Sequence, residues 1–137
     1  MPQSNEPVNL RPEELDAWQL NGNEAHVMAS FRFVQNDFQC FSDWSKQDMK
    51  IFWNFIKKLH NNSWRTVLAA GGKVAKTGLA PTIIPINKYP DGALRRAIEN
   101  EYVMFEFRVD HVKRIHGFRR GPVFYICWLD KNHKICA

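Results

Sequence analysis

The run VFYICWL, from Val123 to Leu129, has seven apolar residues in succession. It is too short for a buried helix, and it is bounded by Gly121-Pro122 on one side and Asp130-Lys131-Asn132 on the other. Such a run reads as a β-strand apolar on both faces, which must lie centrally in a sheet with cover on each side. Two strands are predicted before it, Tyr102 to Val109 and Val112 to Phe118, joined by tight turns at Asp110/His111 and Arg120/Gly121. The last strand then runs from Pro122 to Leu129, and the three form an antiparallel meander. Alternation places Val103, Phe105, Phe107 and Val109 on one face of the first strand, and Met104, Glu106 and Arg108 on the other. In the second strand Val112, Arg114, His116 and Phe118 share a face opposite Lys113 and Ile115.

The clearest helix starts at Ser45, whose hydroxyl can cap it with Asp48 three residues on, while Trp44 can pack over Met49 as a hydrophobic staple. Met49, Phe52, Trp53, Ile56 and Leu59 recur at helical spacing, and an aromatic-rich core is the default place for Phe52, Trp53, Phe105 and Trp128. A shorter helix is predicted from Ser63 to a stop at Gly71-Gly72, making a helical hairpin. Pro81, Pro85 and Pro90 rule out a long element before a small helix, GALRRAIEN, capped by Asp91. Ahead of the long helix, the alternation in ASFRFV predicts a short strand with Phe31 and Phe33 on one side. Residues 1–25 are a polar extension, in which RPEELDAWQL can form a short helix with Leu15 and Trp18 on one face. The expected fold is a single α+β domain over 26–137, with the helical hairpin packed on one face of a small antiparallel sheet.

A chain of 137 residues, 45% hydrophobic and 13% aromatic, is ample for one core. It has no apolar run of the roughly 18 residues needed to span a bilayer, and its start lacks the order of a signal peptide. We therefore expect a cytoplasmic protein with no membrane partner. Three cysteines at irregular spacing, Cys40, Cys127 and Cys136, argue against a disulfide framework. The net charge of +5 is concentrated at the end: from Arg108 onward seven Lys/Arg stand against two Asp, whereas the preceding residues balance. Clustered cations of this kind attract polyanions.

Arg114, His116 and His133 are the candidate catalytic residues, combining a phosphate-holding guanidinium with imidazoles that exchange protons near neutral pH. Arg108, Lys113, Arg119, Arg120, Lys131 and Lys134 are candidate nucleic-acid contacts, with Tyr125 as a stacking ring. Two helices followed by antiparallel strands, Arg114-Ile115 opening a strand and FYICWLDKNH closing the chain together resemble the RelE/ParE-like toxin superfamily, its RelE and YoeB branch in particular. The resemblance implies metal-independent mRNA cleavage, often on the ribosome, by attack of a 2′-hydroxyl on the adjacent phosphate, restrained by a cognate antitoxin. It assigns Arg114 to phosphate binding and His133 to catalysis. The chain departs from that pattern in its length, its proline-rich middle, His116 or Phe118 where the branch has tyrosine, and the lack of a clearly matching carboxylate, Glu106 standing in a different context.

Other chemistries fit less well. Cys40, His133 and Cys136 lack the paired spacing of a zinc site, so neither metal nor cofactor is expected. The glycines of AAGGKVAKTG miss the spacing of a phosphate loop, and Asp110-His111 is explained by a turn. Two readings remain. The chain is a toxin-like ribonuclease acting on RNA, or a non-catalytic phage or mobile-element module that holds nucleic acid or an acidic protein through its basic C-terminal face.

Overall fold

The computed structural model describes residues 22–69 and 79–136. Its strands are β1 (Met28–Ser30), β2 (Thr82–Ile83), β3 (Met104–Arg108), β4 (Arg114–Arg120) and β5 (Val123–Asp130), and its helices are α1 (Lys46–His60), α2 (Trp64–Ala69) and α3 (Ala93–Ile98). The strands form one sheet in the order β1-β5-β4-β3-β2. The meander β3-β4-β5 is antiparallel as expected, but β1 joins β5 in parallel, with Ala29 opposite Phe124, so the sheet is mixed. The α+β class holds.

All eight residues of β5 are buried, and the two faces of the sheet carry separate cores. On one face α1 lays Phe52, Phe55, Ile56 and Leu59, and α2 lays Trp64 and Val67, against Phe107, Ile115, Phe124, Ile126 and Leu129. Each such buried side chain contributes about 1.5–3 kcal/mol of transfer free energy, more than the sub-kcal propensity losses of the aromatic and β-branched residues in α1. The opposite face is covered by Ile84, Tyr89, Ile98 and Ile135 over Met104, Phe118, Tyr125 and Trp128. Cover on both faces, rather than helices on one, is what a strand without a polar side requires.

Local chemistry fixes the ends. Ser45 and Asp48 make a full capping box, each side chain accepting from the other's backbone N–H at 3.0 and 2.9 Å. The two-residue turn between β4 and β5 uses Gly121 at φ 59°, and the Pro122 carbonyl accepts the buried Trp64 indole N–H at 2.7 Å, tying α2 to the turn. Asp91 does not cap α3: Gly92 holds that position without a side-chain bond, and Asp91 instead pairs with Arg96 at 3.4 Å. Phe31 and Phe33 also part company. The chain turns after Ser30, sending Phe31 onto Phe41 on the helix-bearing face and Phe33 onto Tyr125 on the other. The predicted N-terminal helix and the Gly71-Gly72 stop lie outside the described residues.

The ladder between β4 and β5 is irregular at one place. Gly117 pairs with Ile126 while His116 pairs with Trp128, so Cys127 is an extra residue, a β-bulge. A Cβ on Gly117 would stand 1.8 Å from the Tyr125 carbonyl oxygen, a backbone atom that cannot move aside. Only glycine permits this approach. Gly117→Ala is accordingly expected to cost about 1–3 kcal/mol or more in urea unfolding, because it overpacks a closed backbone site.

Candidate functional site

The bulge changes which side chains share a face. Tyr125 and Asp130 are five residues apart and would point to opposite sides of a regular strand; with one residue inserted, both lie on the face away from α1 and α2. Asp130 there meets His116, with Oδ2 3.4 Å from Nε2, and Glu106 from β3 brings Oε2 to 3.6 Å from the same nitrogen. Nδ1 of His116 shares a 2.9 Å hydrogen bond with the Tyr89 hydroxyl, and Arg114 Nε stands 3.9 Å from Glu106. Two acids, a histidine, an arginine and a tyrosine thus converge from three strands and a loop. His116 Nε2 and Glu106 Oε2 are buried without a hydrogen-bond partner among the described residues.

This cluster is closed. His116 is 0% and Arg114 4% exposed, and Tyr89 stacks on Trp128 as part of the roof. Burial by itself would raise the Asp130 carboxyl, but the His116 ring and the amide N–H groups of Lys134 and Ile135, at 2.7 and 2.9 Å, hold it below the ordinary value. Burial and the nearby Glu106 push the Tyr89 phenol well up, so it stays protonated. The Arg114 guanidinium also donates to the carbonyls of Asp110 and Lys113. His133 has a left-handed backbone, φ 55°, which shapes the turn that aims those two amides at Asp130. Its side chain makes no hydrogen bond or ion pair among the described residues. Arg114 and His116 therefore share a face, as alternation predicts, but without His133 and without an open cleft. Among the described residues no group of three or more His, Cys, Asp or Glu side chains is arranged to hold a metal.

The single basic C-terminal face is also corrected. Lys113 Nζ lies 3.0 Å from both Asp48 and Asp110, and Lys131 Nζ 3.2 Å from Asp48 and 2.6 Å from the Asp43 carbonyl. Arg119 donates to Gly121 and Asn23 and covers the Trp64 ring at 4.2 Å, while Arg120 donates to the Tyr102 hydroxyl. Tyr125, expected as a stacking ring, is fully buried between Phe33 and Phe118, because β5 has no solvent side. Arg108 and Lys134 are exposed. The charge excess is real in sequence, but one acid from the first half of the chain, Asp48, folds onto Lys113 and Lys131.

A different face of the protein combines charge and aromatic surface. Trp53, expected in the core, is 55% exposed. At about 100° per residue it sits a quarter-turn from Phe52, beyond the arc the sheet covers, and Lys46, Lys50 and Lys57 lie within about 60° of it. Lys57 Nζ is 5.9 Å from its ring centre. The acid of α1, Asp48, turns away to Lys113 and Lys131. This face borders a groove of about 400 Å³ whose walls include Asn54 and Lys58 on α1 and Arg108 on β3. The lysine spacing was visible in the sequence, but the apolar stripe of α1 is wider than its core, and packing leaves Met49 and, further out, Trp53 exposed.

The chain matches no family model, no curated protein and no solved structure. The RelE-like resemblance rests on the quoted residues alone.

The acid groups make the fold sensitive to pH. Asp48 is held well below the usual carboxylate range by the Ser45 amide and by Lys113 and Lys131; in Asp110 and Asp130 hydrogen bonds and positive neighbours overcome burial to the same effect. Their contribution to stability is complete above the unfolded-chain value of about 3.9 and is lost as pH falls from there through the lower folded values. The urea midpoint should hold from pH 7 to 5 and drop below about pH 4. Asp48→Asn should lower it at pH 7 and make the acid fall shallower.

Proposed function

We propose that this protein is a non-catalytic nucleic-acid-binding module that works in the cytoplasm and holds single strands on the outward face of α1. The observation that carries the reading is Trp53, exposed among Lys46, Lys50 and Lys57 on a helix face without a carboxylate. An exposed indole offers a stacking platform to any base, and lysines on either side neutralise phosphates, the combination single-strand binders use. The cluster of charges in the C-terminal strands contributes less, since Lys113 and Lys131 already have carboxylate partners.

Binding of a fluorescent single-stranded oligonucleotide, followed by anisotropy across a salt series, tests this. Trp53→Ala is expected to weaken binding by about 1–3 kcal/mol. The triple variant Lys46→Ala/Lys50→Ala/Lys57→Ala should reduce the slope of log K against log salt by about 2, at roughly 0.7 per phosphate contact. All four side chains are exposed, so the fold should survive. Unchanged affinity in both variants would overturn the assignment.

A second reading, the toxin-like ribonuclease held by an antitoxin, is favoured by one observation: a carboxylate, Glu106, does meet Arg114 and His116. It requires the roof over His116 to open for RNA. Expression of the wild type should then arrest growth and fragment transcripts, and Arg114→Ala/His133→Ala should do neither; harmless expression of both removes this reading.

A further inference from the structure

Of the Phe, Tyr and Trp rings among the described residues, Trp53 and Phe31 alone are exposed, at 55% and 44%. The fold brings Phe31 to the helix that carries Trp53. Ahead of it, Ala29 of β1 donates its backbone N–H to Nε2 of His60, the last residue of α1, at 3.1 Å. Two residues further on, the Phe31 ring stands 6.1 Å from Phe52 and 5.7 Å from Phe41, centre to centre. This segment therefore runs back along α1 from its last turn to the turn of Phe52. At about 100° per residue, His60, Met49 and Phe52 lie about 20°, 40° and 100° from Trp53 on one side, while Lys46, Lys57 and Lys50 lie about 20°, 40° and 60° from it on the other. Met49 is 37% exposed. The outer surface thus passes from lysines to Trp53, then to Met49 and Phe31.

Charge is unequal across this strip. On the Phe31 side, Asp48 lies beyond Phe52 and is held by Lys113 and Lys131, and Asp43 is exposed in the turn that carries Phe41, where Lys131 reaches its carbonyl. Arg32 turns its guanidinium over Phe33, 5.0 Å from the ring centre. Acids and cations answer each other there, whereas on the far side of Trp53 three lysines stand without a carboxylate on the helix. A single strand laid on α1 therefore keeps its phosphates over the lysines and turns its bases toward the apolar side. Bases need ring surfaces, and Phe31, braced edge-on by Phe41 and tilted on Phe52, is a fixed one.

Resting on the assignment of α1 to single strands, we propose that Phe31 is the second stacking platform of that site. One base stacks on Trp53, a neighbouring base stacks on Phe31 across Met49, and the phosphates pass over Lys46, Lys50 and Lys57. The ligand is then an unpaired run of nucleotides, because the base faces that both rings use are hidden within a duplex.

Anisotropy with a single-stranded oligonucleotide tests this, using Phe31→Leu, which keeps apolar bulk over Phe41 and Phe52, and Phe31→Tyr, which keeps the ring. Phe31→Leu should weaken binding about five- to hundredfold, the loss of one stacked base, with the salt slope unchanged, and Phe31→Tyr should bind as wild type does. On an oligonucleotide of the same length with one base among abasic sugars, Phe31→Leu and wild type should bind equally, since the charges are kept and the second base is gone. If Trp53→Ala weakens binding and Phe31→Leu does not, Phe31 is rejected and the α1 assignment stands; a wild type that binds no oligonucleotide rejects both. Capture by phosphatidylserine vesicles that Phe31→Leu abolishes, with oligonucleotide affinity unchanged, would assign the strip to a lipid surface and reject the proposal equally.

Discussion

The close approach of Gly117 to the Tyr125 carbonyl, and the bulge at Cys127 that goes with it, set the arrangement of everything on the second face of the sheet. A regular β5 would point Asp130 toward the helices, leaving a charged group under α1 and His116 without its acid. With the extra residue, Tyr125 packs into the aromatic stack with Phe33 and Phe118 while Asp130 reaches His116 and receives the amides of the C-terminal turn. The Cys127 carbonyl accepts from Gln35, so the crossing of the N-terminal chain is fastened at the same irregularity. Bulges occur where a side chain must be re-aimed, and here the re-aimed group is a buried charge.

Asp48 plays the corresponding part on the other side. It closes the capping box of α1 and holds Lys113 and Lys131, which come from the β3-β4 turn and the end of β5. One carboxylate thus links the start of the long helix to the end of the sheet. A consequence is electrostatic: two cations that a count along the chain assigns to a basic tail, Lys113 and Lys131, share this one carboxylate, while the outer side of α1 keeps an exposed group of lysines. There the lysines have no acid within the helix opposite them, and Trp53 is left among them.

The buried group of Glu106, Arg114, His116, Asp130 and Tyr89 has the composition of an active site and the burial of a core. Its members are held by neighbouring strands in register, with Glu106 opposite His116 and Arg114 opposite Asp130. Most of its polar atoms find partners inside the protein. Breaking such a network by removing one charge costs more than forming it gains, which is reason enough for the residues to be present without a substrate. This is why the exposed face of α1, rather than this cluster, carries the functional assignment.

Strictly local physics was legible in the sequence. The capping box at Ser45 and Asp48, the central strand expected over Pro122 to Leu129 and found at Val123–Asp130, the meander and the α+β class follow from periodicity, caps and turn residues, which act over a few positions. The candidate site was legible only in part: alternation put Arg114 and His116 side by side, since that needs one strand and a period of two. Glu106 and Tyr89 as their partners, the parallel pairing of β1, the burial of Tyr125 and the exclusion of Trp53 were decided by tertiary structure. Each depends on which distant segment arrives to cover a surface, and in the case of Asp130 on one inserted residue that reverses the parity of a strand. Sequence determined the elements and the total charge; packing determined which charges are left facing water.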